Sequence, residues 1–145
     1  MLFRSSTVKR RFERIGEYRG ASFICDYAHH PREIAATIDT AKGICKGNLY
    51  VVFQPHTYSR TKLLMHEFQR VLTDVPQLMI YKTYAAREKY DEAGSAMRLA
   101  QKVHSLYCEN ITSLKAWIDK TVGENDVLLF LGAGDIYYVA EYLLK

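Results

Sequence analysis

The sequence carries neither a disulfide framework nor a thiolate metal site. Its three cysteines, Cys25, Cys45 and Cys108, are odd in number, widely spaced and without a Cys-x-x-Cys pair, so reduced and mostly buried thiols are expected. Long apolar runs are missing too. None exceeds the five residues of Val127–Leu131, far too few to span a bilayer, and Met1-Leu2-Phe3-Arg4-Ser5 lacks the apolar stretch of a secretory signal. The expectation is a soluble cytoplasmic chain with no membrane partner. Charge is not strongly one-sided: the formal net value is +4, and the clearest basic cluster is Lys9-Arg10-Arg11. That suits a phosphate-bearing ligand and gives no indication of nucleic acid. Catalytic signatures are absent as well: no nucleophile elbow, no Gly-x-x-x-x-Gly-Lys-Ser/Thr phosphate loop, no evident acid/base carboxylate pair. The adjacent His29-His30 pair is not a metalloprotease motif, which needs two histidines one helical turn apart with a Glu between them. On its own residues the chain looks like half of a site.

With 145 residues, 48% of them hydrophobic, residues 1–145 fit one domain with its own core. Arg11–Ile15 and Ala21–Asp26, separated by Gly16 and the Arg19-Gly20 pair, predict a β-hairpin with a four- or five-residue connection. Pro31 suits the first turn of a helix, and Ile34, Ala35, Ile38 and Ala41 follow at helical spacing as far as Gly43. Asn48–Phe53 is a nearly all-apolar strand. Leu63, Leu64, Phe68, Val71 and Leu72 predict one amphipathic helix, followed by a strand at Gln77–Tyr81. Ser95 caps a helix bearing Met97, Leu99, Ala100 and Val103; Leu106–Glu109 is a weak edge strand, and Ile111–Val122 a further helix. The last unit is a strand at Val127–Leu131, a turn at Gly132-Ala133-Gly134 with Asp135 as cap, and a helix at Ile136–Leu144, whose Tyr137, Tyr138 and Tyr142 suggest ordinary packing. A hairpin followed by strand–helix alternation implies an α/β, Rossmann-like three-layer domain: a mainly parallel sheet with helices on both faces.

Two segments concentrate chemistry where a strand gives way to a helix: Asp26-Tyr27-Ala28-His29-His30-Pro31 and Gln54-Pro55-His56-Thr57-Tyr58-Ser59-Arg60-Thr61. In α/β proteins ligands gather at the carboxyl ends of strands, so both loops point to one shared crevice. The first offers a carboxylate and two imidazoles before a helix amino terminus, where an anion, a phosphate or a ribose fits; the bland alternative makes Asp26 a helix cap and the histidines a solvated turn. In the second, Arg60 is able to grip a carboxylate or phosphate bidentately with His56 as a further donor, while Ser59 caps the next helix. Gly132-Ala133-Gly134 lacks the third glycine of a dinucleotide fingerprint and precedes an acidic Asp135. Arg87 and Glu88, on the loop after the Gln77–Tyr81 strand, are offered to the same rim, with a solvated charge pair as the bland alternative.

Val8-Lys9-Arg10-Arg11-Phe12-Glu13, the two histidine segments, Tyr84-Ala85-Ala86-Arg87-Glu88 and Gly132-Ala133-Gly134-Asp135-Ile136 occur in the order and spacing of the carboxy-terminal domain of the Mur ligases, and most resemble the branch that joins L-alanine to UDP-N-acetylmuramate. The resemblance spans essentially residues 8–145. It implies an ATP-dependent ligase of bacterial peptidoglycan synthesis: ATP phosphorylates the muramate carboxylate, and the alanine amine attacks the acyl phosphate. The amino-terminal UDP-binding domain and the central ATPase domain, with the phosphate loop and the Mg2+ ligands, would lie outside these residues, and this domain would be inactive alone. By resemblance, Arg11 reaches the ATP phosphates and Asp26 the adenosine ribose. Tyr27, His29, His56 and Arg60 surround the incoming L-alanine, with His56 and Arg60 toward its carboxylate. Thr57 stands where many members carry Arg, and Cys25 where a second Asp is common. The competing expectation is a non-enzymatic nucleotide- or anion-binding interaction module.

Overall fold

The apolar run Val127–Leu131 becomes a strand in which every residue is buried. The computed structural model describes residues 11–145; Val8, Lys9 and Arg10, part of the basic cluster and of the first resembling segment, lie outside the described residues. Among the described residues the sheet has six strands: β1 (Glu13–Tyr18), β2 (Ala21–Asp26), β3 (Leu49–Phe53), β4 (Leu78–Tyr81), β5 (Leu106–Cys108) and β6 (Val127–Leu131), in the order β1-β2-β6-β3-β4-β5. β1 is antiparallel to β2, and all other neighbours are parallel. The helices are α1 (Pro31–Ile44), α2 (Tyr58–Leu63), α3 (Met65–Leu72), α4 (Ala96–Val103), α5 (Ile111–Thr121) and α6 (Ile136–Leu143), with a 3-10 turn at Glu92–Gly94.

Alternation along the strands divides the core in two. Ile24, Val51, Phe53, Ile80, Leu129 and Leu131 face α1, α3 and α4 through Ile34, Ile38, Phe68, Leu72 and Leu99. Phe23, Val52, Met79, Leu128 and Phe130 face α5 and α6 through Leu114, Ile118, Ile136 and Ala140. A strand covered on both faces has no polar side, which is why β6 reads as Val-Leu-Leu-Phe-Leu with no alternation. The three layers and mainly parallel sheet are those expected from the sequence, and the weak strand at Leu106 pairs with β4 at the sheet edge. No helix among the described residues is long and apolar enough to cross a membrane.

The hairpin departs from expectation. β1 continues through Gly16 to Tyr18, with a register irregularity between Arg14 and Gly16, and the connection is the two-residue turn Arg19-Gly20. Both turn residues have positive φ, 53° and 87°, the type I′ geometry whose twist suits a two-residue hairpin. Gly16 therefore lies in the strand rather than in the turn. The predicted helix from Leu63 is also two helices, α2 and α3, broken at Leu64 (φ −104°, ψ 20°). Leu63 lies off the Leu64–Phe68–Leu72 stripe and is 80% exposed. Of the three carboxy-terminal tyrosines only Tyr137 packs inside; Tyr138 and Tyr142 point outward. Cys25 and Cys108 are buried, Cys45 is half-buried, and none of the three is in a disulfide; burial pushes the Cys108 thiol up to about 12.

Candidate functional site

The strand order places both histidine loops beside one turn. Asp26 and Phe53 each register against Leu131 of β6, so the chains leaving β2 and β3 start level on either side of the turn after β6. Backbone bonds fasten the three exits: Gln54 N–H donates to Leu131 O (3.0 Å) and Gly132 N–H to Asp26 O (3.2 Å). This is the carboxyl edge of the sheet, where α/β proteins bind ligands.

Asp26 is not a helix cap. Its Oδ1 accepts the Phe12 N–H (2.9 Å) and its Oδ2 the Thr37 hydroxyl (2.6 Å). The carboxylate is thus fixed between the segment entering β1 and the middle of α1, and four lone-pair directions leave capacity for further donors. His30 does the capping instead. Its Nδ1 accepts the Arg32 N–H (3.3 Å), while Glu33 Oε1 accepts the N–H groups of His30 (3.2 Å) and His29 (3.3 Å), completing a capping box. Partial burial raises the Glu33 carboxyl, but the backbone N–H bonds from His30 and His29 outweigh it, and its pKa falls below the usual carboxylate value. His29 Nδ1 lies 3.1 Å from Tyr27 O; a carbonyl only accepts, so Nδ1 carries a proton there.

On the other side, α2 is capped by Thr57, not Ser59: Thr57 Oγ1 accepts the Arg60 N–H (3.3 Å). Thr57 has φ 67° and ψ 155°, a conformation that costs a β-branched residue on the order of 1–3 kcal/mol. It is held there by the Tyr84 backbone, whose O accepts the Thr57 N–H (2.8 Å) and whose N–H donates to Pro55 O (2.9 Å). The rings line up as Tyr27–His29 (centroids 5.4 Å apart), His29–His56 (5.8 Å) and His56–Tyr84 (5.3 Å, 29° between planes). His56 Nδ1 is buried with no hydrogen-bond partner. Burial, then the neighbouring charges of His29 and Arg60, lower the His56 pKa below the usual histidine value, against an opposing pull from Glu88. A neutral His56 follows at pH 7. An orphaned lone pair is cheaper to bury than an orphaned N–H, so the proton sits on Nε2, as a donor.

The structure therefore brings Tyr27, His29 and His56 into one row with Arg60 close to its far end, and anchors Asp26 on the nearer loop. Arg11 is exposed at the segment leading into β1, joined to the site through its neighbour Phe12. Sequence reasoning passed over Thr37 and gave Tyr84, Glu88 and Gln54 no defined role. Thr37 orders Asp26. Tyr84 backs His56. Glu88, although exposed, is tied to α2: it accepts the Tyr58 N–H (2.8 Å), the Ser59 N–H (3.0 Å) and, closely, the Ser59 hydroxyl. Gln54, buried, spans to the turn after β6: its Nε2 donates to Asp135 Oδ1 (2.7 Å) and Lys82 O (3.3 Å), and its Oε1 accepts the Ile136 N–H (3.1 Å). Asp135, expected to cap α6, makes no side-chain cap; Gln54 supplies it. Among the described residues no group of three or more His, Cys, Asp or Glu is placed to hold a metal ion.

Comparison with known proteins identifies the family. The profile of the family described as Mur ligase, glutamate ligase domain, matches residues 10–134. The UDP-N-acetylmuramate--L-alanine ligase of Lachnospira eligens is 44% identical over 141 residues, covering 94% of this chain and 31% of that protein. The chain thus spans about a third of the length of such relatives. Among solved structures, a UDP-N-acetylmuramate-alanine ligase from Thermotoga maritima superposes with a TM-score of 0.69 at 27% identity, over 93% of this chain and 29% of the other. A murein peptide ligase from Psychrobacter arcticus, at 19% identity and a TM-score of 0.72 over 94% of this chain and 29% of its own, shares the fold. The ordered motifs, the six-stranded sheet and these matches place the chain in the Mur ligase family, as a Mur ligase carboxy-terminal domain.

Proposed function

We propose that this chain forms one wall of the active site of an ATP-dependent ligase that joins L-alanine to UDP-N-acetylmuramate. In that reaction the muramate carboxylate takes the terminal phosphoryl group of ATP, giving an acyl phosphate and ADP; the alanine amine attacks the acyl carbon, loses a proton and expels phosphate. The observation that carries the reading is the level placement of the Asp26 and His56 loops at the sheet's carboxyl edge, in a chain 44% identical to such a ligase.

Each side chain has a task in this reading. Asp26, pre-ordered by Phe12 and Thr37, accepts the ribose hydroxyls, and Arg11 reaches toward the phosphates. Neutral His56 donates to the alanine carboxylate and Arg60 supplies its charge. His29 and Tyr27 close the other side. Fixing a small zwitterion this way aims its amine at the acyl carbon, a contribution of orientation more than of covalent chemistry. The UDP-sugar site, the ATP phosphate loop and the ligands for Mg2+, which would neutralise the transferring phosphoryl group, are assigned to amino-terminal and central domains of the full-length polypeptide.

Coupled measurement of ADP and phosphate release tests the proposal. With ATP, magnesium, UDP-N-acetylmuramate and L-alanine, the full-length polypeptide turns over and the 145-residue chain alone does not. Absence of L-alanine-dependent turnover by the full-length protein, or turnover by the chain alone, overturns the reading and favours a binding module or a self-sufficient enzyme respectively.

A further inference from the structure

We propose that Glu88 is a positioning residue for the amino-acid end of the site: by holding the first turn of α2 it fixes where Arg60 and His56 meet the incoming carboxylate. The inference rests on the reading of Arg60 and His56 given above.

The segment from His56 to Arg60 has few restraints of its own. α2 is six residues long, too short to be stable without outside contacts. Thr57 sits in disfavoured backbone space, and Arg60 is exposed. Thr61, whose hydroxyl donates to Thr57 O (2.8 Å), and Tyr90, whose ring meets that of Tyr58 edge-on, hold part of it; residues 84–88, which follow β4, add the restraints on its first turn. Tyr84 pairs with His56 in an isolated parallel bridge and stacks on its ring. The backbone then turns back at Ala86, φ 58°, closed by the Glu88 N–H on Ala85 O at 3.0 Å. That turn delivers Glu88 to the start of α2, where one carboxylate oxygen takes the N–H groups of Tyr58 and Ser59 and the other the Ser59 hydroxyl. Behind Tyr84, Gly134 leaves the space that the ring fills, since a β-carbon there would collide with it.

Two consequences follow. Glu88 already occupies the free N–H groups at the amino end of α2, so a substrate carboxylate is left to Arg60 and His56 rather than drawn onto the backbone. The side-chain and backbone bonds from Ser59, with the Tyr58 N–H, hold the Glu88 carboxyl below its usual range, so the grip persists through the neutral region. Glu88 touches no substrate in this scheme; it acts through α2.

The test uses the full-length ligase and compares Glu88→Ala, Glu88→Gln and Arg60→Ala by KM for L-alanine, ATP and UDP-N-acetylmuramate, together with kcat. Glu88→Ala is expected to raise the KM for L-alanine about tenfold, the effect of losing charge-assisted hydrogen bonds, while the KM for ATP stays within about twofold. Glu88→Gln, whose amide oxygen still accepts N–H bonds, recovers part of the loss and serves as the informative variant if Glu88→Ala fails to fold. A KM for L-alanine unmoved in both Glu88 variants, or equal losses on all three substrates without rescue, overturns the proposal while a raised KM in Arg60→Ala keeps the functional reading intact. An unmoved KM for L-alanine in Arg60→Ala overturns both.

Discussion

Gln54→Leu removes a side chain that ties β3 to the turn after β6. Gln54 is 1% exposed, and its amide makes bonds to Asp135, Lys82 O and the buried Ile136 N–H. Leucine matches it in size but leaves the Ile136 N–H without a partner at the start of α6. A buried unsatisfied donor costs about 1–3 kcal/mol. Asp135 is exposed, so water replaces its lost donor and its share is small. The net loss is about 1–3 kcal/mol, a sizeable part of a typical domain's stability, and corresponds to a fall of about 3–10 °C in Tm for a chain of this size. Thermal unfolding of the 145-residue chain, followed by far-UV circular dichroism, measures it. A Tm within about 1 °C of the parent would refute the claim that Gln54 caps α6. Gln54→Glu gives a sharper form of the same test. A carboxyl buried against Asp135 has its folded pKa raised, so it binds more protons folded than unfolded; the destabilisation grows as pH rises through that pKa and is relieved in acid.

Three further substitutions have defined outcomes. His56 has a folded pKa below the ordinary 6.5, so the unfolded chain binds more protons and stability falls as pH drops from 6.5 toward the folded value; urea midpoints between about pH 5 and 8 should show this slope in the parent and lose it in His56→Phe. Thr37→Val conserves volume but removes the hydroxyl bond to Asp26, costing about 1–2 kcal/mol in urea denaturation, and an unchanged midpoint would mean that the 2.6 Å contact orders nothing. Gly20→Ala forces a β-carbon onto φ 87° against Glu124 and should cost about 1–2 kcal/mol, with a stabilised variant excluding the type I′ turn.

Much of the fold was legible because its elements are locally coded. β6 is a bare apolar run, α1 begins at Pro31 with Ile34, Ile38 and Ala41 on one stripe, and Asp26, His29 and His56 fall where strands end, with Arg60 in the helix that follows. Partners distant in sequence were not legible. The cap of α6 comes from Gln54, 82 positions earlier, and becomes visible only once β6 is known to lie between β2 and β3. Glu88 looked like half of a surface pair with Arg87 because its real partners lie 29 and 30 positions away. Gly16 and Gly20 both signal a turn, and cross-strand register alone tells which glycine makes it.

The central claim, one wall reading the nucleotide at Asp26 and the amino acid at Arg60, is tested most directly by a paired KM measurement on the full-length ligase. Asp26→Ala is expected to raise the KM for ATP with that for L-alanine nearly unchanged, and Arg60→Ala to do the reverse, each by about tenfold or more. The same pattern of losses in both variants, or no change in either, would contradict it.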